Sequence, residues 1–322
     1  MNGQVAVGVD IGGTKVLAGV VDAHGQVLAR ARRETPHRTT SPAVVEDTIA
    51  EAVAELARLH SVSAVGIGAA GFVDATGSTV RFSPHLSWRD EPLREALRQR
   101  VGLPVLIDNN ANTTAWAEMR YGAGKGAAHV LCITMGTGIG GAIVIDGHVF
   151  RGANGMAGEF GHMQVVPDGR RCECGNRGCW EQYASGNALV CEARELVTAQ
   201  SPVAHRLREL IGDESANLTG PIVTEAAQAG DPAAIELFDE IGGWLGTGLA
   251  ILTAAFDPER IIVGGGVGEA GELLLGPARD TLRRTLTGRG FRAEPEVVSA
   301  HLGPDAGFIG AADLACEAFQ DL

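Results

Sequence analysis

Aromatic residues make up only 5% of the 322 positions, and basic residues are outnumbered: 26 Lys+Arg against 39 Asp+Glu, a net charge of −13. Such a balance excludes general binding to nucleic acid or to an anionic membrane surface, and neither is expected as a partner. It leaves room for a phosphorylated ligand held in a local pocket. No apolar run approaches the ~18–20 residues that a membrane-spanning helix needs. The N-terminus has no basic stretch ahead of its first apolar residues, so no secretion signal and a cytoplasmic location are expected. In that compartment the six cysteines are expected to be reduced.

What the chain has in excess is glycine: 45 residues, about 14% against a usual ~7%. The glycines cluster beside apolar runs, which points to functional turns rather than to linker. Apolar residues at 45% and charged residues at 20% are ordinary for a globular chain, and the length suggests roughly two domains.

Val5, Val7 and Val9 alternate with small residues up to Asp10, which predicts a strand; Val16 to Val21 and Val27 to Ala29 predict two more. Ser41–Pro42 opens a helix whose apolar face is Val45, Ile49, Ala52, Val53, Leu56 and Leu59. Ala64 to Ala70 and Val105 to Ile107 read as buried strands, and Leu93 to Val101 and Ala111 to Tyr121 as helices. His129 to Met135, Ala142 to Ile145 and Val149 then repeat the opening strand–turn–strand–turn–strand pattern at an offset of about 125 residues. Further on, Asn187 to Glu195, Ile235 to Ala255, Gly271 to Leu286 and the tail Gly307 to Phe319 are mainly helical, and Ile261 to Val263 is a strand. The repeat predicts two related α/β domains with a cleft between them. The first is expected over 1–120, with a C-terminal helix at about 307–322 packing back on it; the second over 121–306, with an inserted module at 154–186.

Three glycine turns follow strands. In Asp10-Ile-Gly-Gly-Thr-Lys15, the glycines Gly12 and Gly13 let backbone N–H groups approach a phosphate, Thr14 adds a hydroxyl, Lys15 a counter-charge, and Asp10 a carboxylate for Mg²⁺. No helix follows, so this is neither a Walker A loop nor a Rossmann fingerprint. Gly136, Thr137 and Gly138 open a second such turn, and Gly264 and Gly265 a third that offers a flat surface to a nucleobase or ribose. Each alone fits a plain tight turn; together they predict a nucleotide site.

His162-x9-Cys172-x-Cys174-x4-Cys179 supplies three thiolates and one imidazole, the donor set of tetrahedral Zn²⁺. Four protein ligands fill the shell, so the zinc is expected to be structural. Cys132, Cys191 and Cys316 lie in apolar surroundings and read as small core residues.

Taken together, Asp10-Ile-Gly-Gly-Thr-Lys15, Gly155-Met-Ala-Gly-Glu-Phe-Gly-His162, Cys172-Glu-Cys-Gly-Asn-Arg-Gly-Cys-Trp-Glu181 and the Gly264–Gly266 turn resemble the ROK family of sugar kinases and sugar-responsive repressors, over nearly the whole chain. Arg151 to Asn187 is most similar to the family's ATP-dependent glucokinases, and the plain Gly-Gly-Thr-Lys favours ATP over polyphosphate. The resemblance implies a duplicated actin/hexokinase-like (ribonuclease H-like) α/β fold, two domains around a cleft, and ATP-dependent phosphorylation of glucose or a related hexose at the 6-hydroxyl. It implies a homodimer or homotetramer. It also implies that Gly71, Asn109, Glu159, His162 and Glu181 bind sugar hydroxyls, with His162 turning one ring nitrogen to zinc and the other to the sugar. Repressors of the family carry a helix-turn-helix domain ahead of the first glycine motif; that motif starts here at residue 10, so the repressor role is not expected.

One position departs from the pattern. Asn110 stands where the family's kinases carry the aspartate that takes the proton from the attacking hydroxyl. A neutral amide has no useful proton affinity near pH 7, so sugar binding with depressed phosphoryl transfer is expected. Asp108 is the nearest substitute base. An aspartate changed by design to trap substrate and a natural loss of the base both fit, and a non-catalytic sugar sensor is the alternative function.

Overall fold

The computed structural model describes residues 5–212 and 214–320. Both ends of the chain expected in the first domain, 1–4 and 321–322, lie outside the described residues.

Alternating valines build β1 (Ala6–Ile11), which turns at Gly12–Thr14 into β2 (Lys15–Val21) and then β3 (Val27–Glu34). Helix α1 (Pro42–Ala57) starts with proline in its first turn, where the missing N–H costs nothing. It is followed by β4 (Ala64–Ala69), the short strands β5 (Phe72–Val73), β6 (Val80–Phe82) and β7 (Arg89–Glu91), α2 (Leu93–Val101), β8 (Val105–Asn109) and α3 (Asn110–Tyr121). The pattern then restarts with β9 (Val130–Met135), β10 (Ile139–Ile145) and β11 (His148–Val149). Next come α4 (Glu181–Ala184), α5 (Gly186–Thr198), α6 (His205–Ile211), α7 (Gly220–Gln228) and α8 (Pro232–Phe256). Finally β12 (Arg260–Gly264), α9 (Glu272–Thr285), β13 (Glu296–Ser299) and α10 (Ala306–Ala318) complete the chain.

The two large sheets have the orders β3-β2-β1-β4-β8 and β11-β10-β9-β12-β13, the same arrangement used twice. In each, a central strand is followed by parallel neighbours: β1, β4 and β8 run parallel in one, β9, β12 and β13 in the other. The duplication expected from the sequence is therefore present as two α/β sheets of one topology. The chain divides into two compact units, one of Met1–Ala128, Ala142–Gly158 and His301–Leu322, the other of His129–Gly141 and Glu159–Ala300.

In the first unit, one face of the sheet packs on α1 and α2 through Val7, Val9, Ile49, Ile67, Trp88 and Leu97. The other face carries α10, seated so closely that a Cβ at Gly8 would run into the Phe308 carbonyl and one at Gly66 into the Ala311 carbonyl. Gly8 and Gly66 pair in register on adjacent strands, so together they make the groove for that helix. In the second unit α8 and α9 cross at Gly242 and Gly246, with no room for side chains against Leu274 and Ala278. No helix among the described residues is long and apolar enough to cross a membrane.

Some expectations need correction. Cys191 is exposed: it lies off the buried line Ala188, Leu189, Ala193 and Val197 of α5. Cys316 is only partly covered, whereas Cys132 is buried as expected. Leu59 is 70% exposed because α1 has already ended at Ala57. The three-stranded sheet β5-β6-β7 and the helices α6 and α7 carried no signal that was read from the sequence.

Candidate functional site

The parallel strands of the first sheet end level with one another: Ile11 pairs with Ala69, and Ala69 with Asn109. Ligands of open α/β sheets gather at such carboxyl ends. Asp10, the Gly12–Lys15 turn, Gly71, Asn109 and Asn110 all stand there.

The first turn closes when Gly12 donates its N–H to the Lys15 carbonyl at 3.0 Å. Gly12 therefore supplies closeness rather than a donor. The next two N–H groups, of exposed Gly13 and Thr14, have no hydrogen-bond partner among the described residues. Behind the turn, Asp10 presses on α10: a Cβ at Gly307 would lie 2.5 Å from its Cγ. Its Oδ1 is buried with no hydrogen-bond partner among the described residues. Burial pushes the Asp10 carboxyl up to about 7, against the downward pull of Lys15. An orphaned, buried carboxylate oxygen of this kind suits a hard divalent cation such as Mg²⁺.

Asn109 caps α3. Its Oδ1 accepts from the Ala111 N–H at 2.8 Å and the Asn112 N–H at 3.4 Å, and its Nδ2 donates to the Gly71 carbonyl at 3.0 Å. One Nδ2 hydrogen remains for a ligand. Asn110 begins the helix half-buried, and no hydrogen bond to its side chain occurs among the described residues. Asp108 is committed elsewhere. Its Oδ2 accepts from Arg151 Nη2 at 2.6 Å and Nε at 2.8 Å; its Oδ1 accepts from the Asn109 N–H at 2.8 Å and Asn112 Nδ2 at 2.9 Å. A buried carboxylate with both oxygens in charge-assisted or amide bonds has little room left to accept a hydrogen bond from a substrate hydroxyl. Sequence reading missed Arg151 as its partner, since nothing in a separation of 43 residues marks the pair.

In the second unit, the Gly136 N–H donates to the Gly138 carbonyl at 3.0 Å, while the N–H groups of Thr137 and Gly138 have no partner among the described residues. This repeats the first turn's pattern. Gly265, at φ +83°, sits where a Cβ would strike the Met135 carbonyl, and the Val267 N–H donates to that same carbonyl at 3.0 Å. The Gly264–Gly265 turn therefore lies against the entry to Gly136, as two adjoining backbone surfaces.

The ligand atoms of His162, Cys172, Cys174 and Cys179 all lie within 4.8 Å of one another. Cys174 Sγ is 3.6 Å from Cys179 Sγ, and Cys172 Sγ is 3.6 Å from His162 Nδ1. Sulfurs at ~2.3 Å from a tetrahedral Zn²⁺ stand about 3.7 Å apart, so the donor set and its spacing fit that ion. His162 turns Nδ1 to the cluster. Half-buried Glu159 and Glu181 adjoin it. Burial pushes the Glu159 carboxyl up; nearby His162 opposes the shift and Glu181 adds to it. Glu181 Oε1 is 3.1 Å from Cys172 Sγ and 3.5 Å from His162 Nδ1.

The ROK family model matches residues 6–318. A glucokinase of Streptomyces coelicolor is 48% identical over 314 residues, which is 97% of this chain and 98% of that protein. A glucokinase of Halalkalibacterium halodurans is 37% identical over 96% of this chain and 94% of its own length. Among solved structures, a ROK family glucokinase from Streptomyces griseus, in complex with glucose and AMPPNP, superposes with a TM-score of 0.91 at 49% identity, covering 98% of this chain and 100% of that one. A family model spanning almost the whole chain, on a fold with these glycine turns and this cysteine–histidine cluster, leads to one conclusion: the chain belongs to the ROK family.

Proposed function

We propose that the chain binds glucose and Mg·ATP and is organised to pass the γ-phosphoryl group to the sugar's 6-hydroxyl, with the transfer itself slowed at Asn110. The observation that carries this reading is the doubled turn. Gly13–Thr14 and Thr137–Gly138 each offer two consecutive N–H groups with no partner among the described residues, a phosphate-binding device, and one of the two has behind it a carboxylate whose buried Oδ1 also lacks a partner among those residues. The glucokinases at 48% and 37% identity, and the neighbour holding glucose and AMPPNP, support the choice of substrates.

In this reading Gly12, Gly13, Thr14, Gly136, Thr137 and Gly138 cradle the phosphates and Lys15 adds positive charge. Gly264 and Gly265 face the nucleoside. Asp10 would hold Mg²⁺, whose charge would offset that of the phosphoryl group during transfer. Gly71, Asn109, Asn110, Glu159, His162 and Glu181 bind the sugar, whose hydroxyls match carboxylates and amides able to accept or donate more than once. His162, Cys172, Cys174 and Cys179 hold Zn²⁺, which fixes the imidazole so that Nε2 is left for the sugar. Asn110 positions the attacking hydroxyl but cannot take its proton, and Asp108 is held by Arg151. Absence of a positioned base costs typically ~10²–10⁴ in rate.

The test is glucose-dependent ADP release from Mg·ATP by this chain and by Asn110→Asp. A gain of about a hundredfold or more is expected. Equal, substantial rates would overturn the assignment of the base. A second reading, a sugar sensor without catalysis, is favoured by Asn110 alone; it predicts that both proteins stay silent while glucose still binds.

A further inference from the structure

The cysteine–histidine cluster does more than face the sugar residues: three short segments leading out of it clasp the Gly136–Gly141 turn. Gly161, next to ligand His162, lies so close that a Cβ there would run into the Ile139 carbonyl. Glu181, two residues after ligand Cys179, sends Oε1 toward Cys172 and His162, while its Oε2 accepts from the Ile139 N–H at 3.4 Å. A Cβ at Gly138 would lie 2.5 Å from that same Oε2. The first turn of α5 then closes the clasp: the Gly186 N–H donates to the Gly136 carbonyl at 2.9 Å and the Asn187 N–H to the Thr137 carbonyl at 3.3 Å.

The cluster has a firm backing. Trp180, between Cys179 and Glu181, is fully buried, and its Nε1 donates to the Trp244 carbonyl of α8 at 2.8 Å. Its own N–H donates to the Met163 carbonyl at 2.8 Å, tying the two halves of the cysteine–histidine loop together. Close-packed segments pass on displacement instead of absorbing it. Loss of the metal would release Cys172, Cys174, Cys179 and His162 from a common point, and the slack would reach the turn through Gly161 and Glu181.

We infer that the metal cluster shapes the second phosphate turn, with Glu181 as the positioning residue between them, so that metal loading controls nucleotide affinity and not only the sugar side. The inference rests on the reading of Gly136–Gly138 as a phosphate turn. Linkage makes it testable from the metal's side: if metal tightens nucleotide, nucleotide must tighten metal by the same factor.

The experiment loads the chain with zinc and follows release to the chromogenic chelator 4-(2-pyridylazo)resorcinol, with and without saturating Mg·ADP. Equilibrium binding of Mg·ADP is measured on the same sample. At equilibrium with a fixed chelator concentration, an apparent zinc affinity about fivefold or more tighter with nucleotide is expected. An affinity unchanged by nucleotide that is demonstrably bound overturns the inference and leaves the proposed function standing; Mg·ADP that does not bind at all overturns both. A second arm uses Gly138→Ala, 24 residues before the first metal ligand. Its methyl group pushes on Glu181, so zinc should bind about fivefold more weakly without nucleotide, at unchanged circular dichroism. Binding at the parent affinity counts against Glu181 as the link.

Discussion

The two turns proposed to hold phosphate are copies with different support. Each joins two strands of its sheet, each spends its first glycine N–H on closing itself, and each leaves the following two N–H groups without a partner among the described residues. Behind the first stands Asp10, its Oδ1 buried and orphaned, against the Gly307 backbone of α10. The second is preceded by Thr134 and Met135, with no charge to offer, and the turn is held from outside by Gly161, Glu181 and Gly186. A duplicated backbone device has thus been divided into two tasks. In the proposed reading the first turn would bring charge chemistry to the phosphates, at the expense of burying a carboxylate, and the second would bring shape, drawn from the loop that carries the cysteine–histidine cluster.

The largest effect should come from removing the charge on one side only. In an Asn110→Asp background, Asp10→Asn should lower Mg·ATP-dependent turnover by about a hundredfold, the scale of losing a charge-stabilising group. Binding of Mg²⁺-free nucleotide should be nearly unaffected. Retention of the Mg²⁺ response would break the division of tasks at once. Next in size is a crossed pair of glycine substitutions. Gly307→Ala places a methyl 2.5 Å from Asp10 Cγ, and should weaken the Mg²⁺ response about tenfold through a displaced carboxylate. Gly161→Ala presses instead on the Ile139 carbonyl and should weaken nucleotide binding with the Mg²⁺ response intact. Titration of Mg²⁺ at several nucleotide concentrations separates the two, and identical profiles would mean that the turns act as one.

The buried charge also has a cost that can be weighed. With Asp10 raised from 3.8 to about 7 on folding, the folded chain holds that proton more tightly than the unfolded one. Its contribution is fully favourable below about 4 and is lost as pH rises through about 7. Asn at position 10 removes the titration. Asp10→Asn should therefore be more stable than the parent at pH 8 by roughly 1–3 kcal/mol, with the gap closing toward pH 4, in denaturant titrations without Mg²⁺. An equal difference at both pH values would mean that Asp10 is not held protonated by burial. A gain in stability at the expense of function is the usual mark of a strained site.

Much of this was legible in the chain. Alternating valines against single glycines gave away β1, β2 and their copies, because strand periodicity survives in runs of six or seven residues. The grouping of His162, Cys172, Cys174 and Cys179 was legible because their types and short spacings admit few alternatives, and the structure brings the four candidate ligand atoms within 4.8 Å. β5, β6 and β7 were not, since strands of two or three residues are too short to show a period. Nor was the seat of α10, although glycines at positions 8 and 66, in register on parallel strands, were a usable sign that backbone lies close by. Support from a distance escaped altogether: Arg151 on Asp108, Glu181 on the Ile139 N–H and Gly307 behind Asp10 are contacts between segments whose sequences carry no mutual mark.

The smallest expected effect bears on whether Asp108 has taken over as base. Its side chain is 6% exposed and that of Arg151 is 38% exposed, so breaking the pair leaves a cation that water can reach. Asp108→Asn should then destabilise the chain by about 1–2 kcal/mol, less than the ~3–5 kcal/mol of a fully buried pair. An amide at 108 has one acceptor oxygen, which can still accept from the Asn109 N–H and Asn112 Nδ2 and keep the start of α3 in place, while the bonds from Arg151 are lost. Residual turnover of the Asn110 chain should accordingly stay within about twofold of the parent, because a carboxylate already accepting four hydrogen bonds has little affinity for a fifth proton donor. Thermal unfolding and a single-turnover assay with glucose and Mg·ATP read the two quantities separately. Unchanged stability with abolished turnover would reverse the assignment, making Asp108 the proton acceptor and Arg151 the group that tunes it.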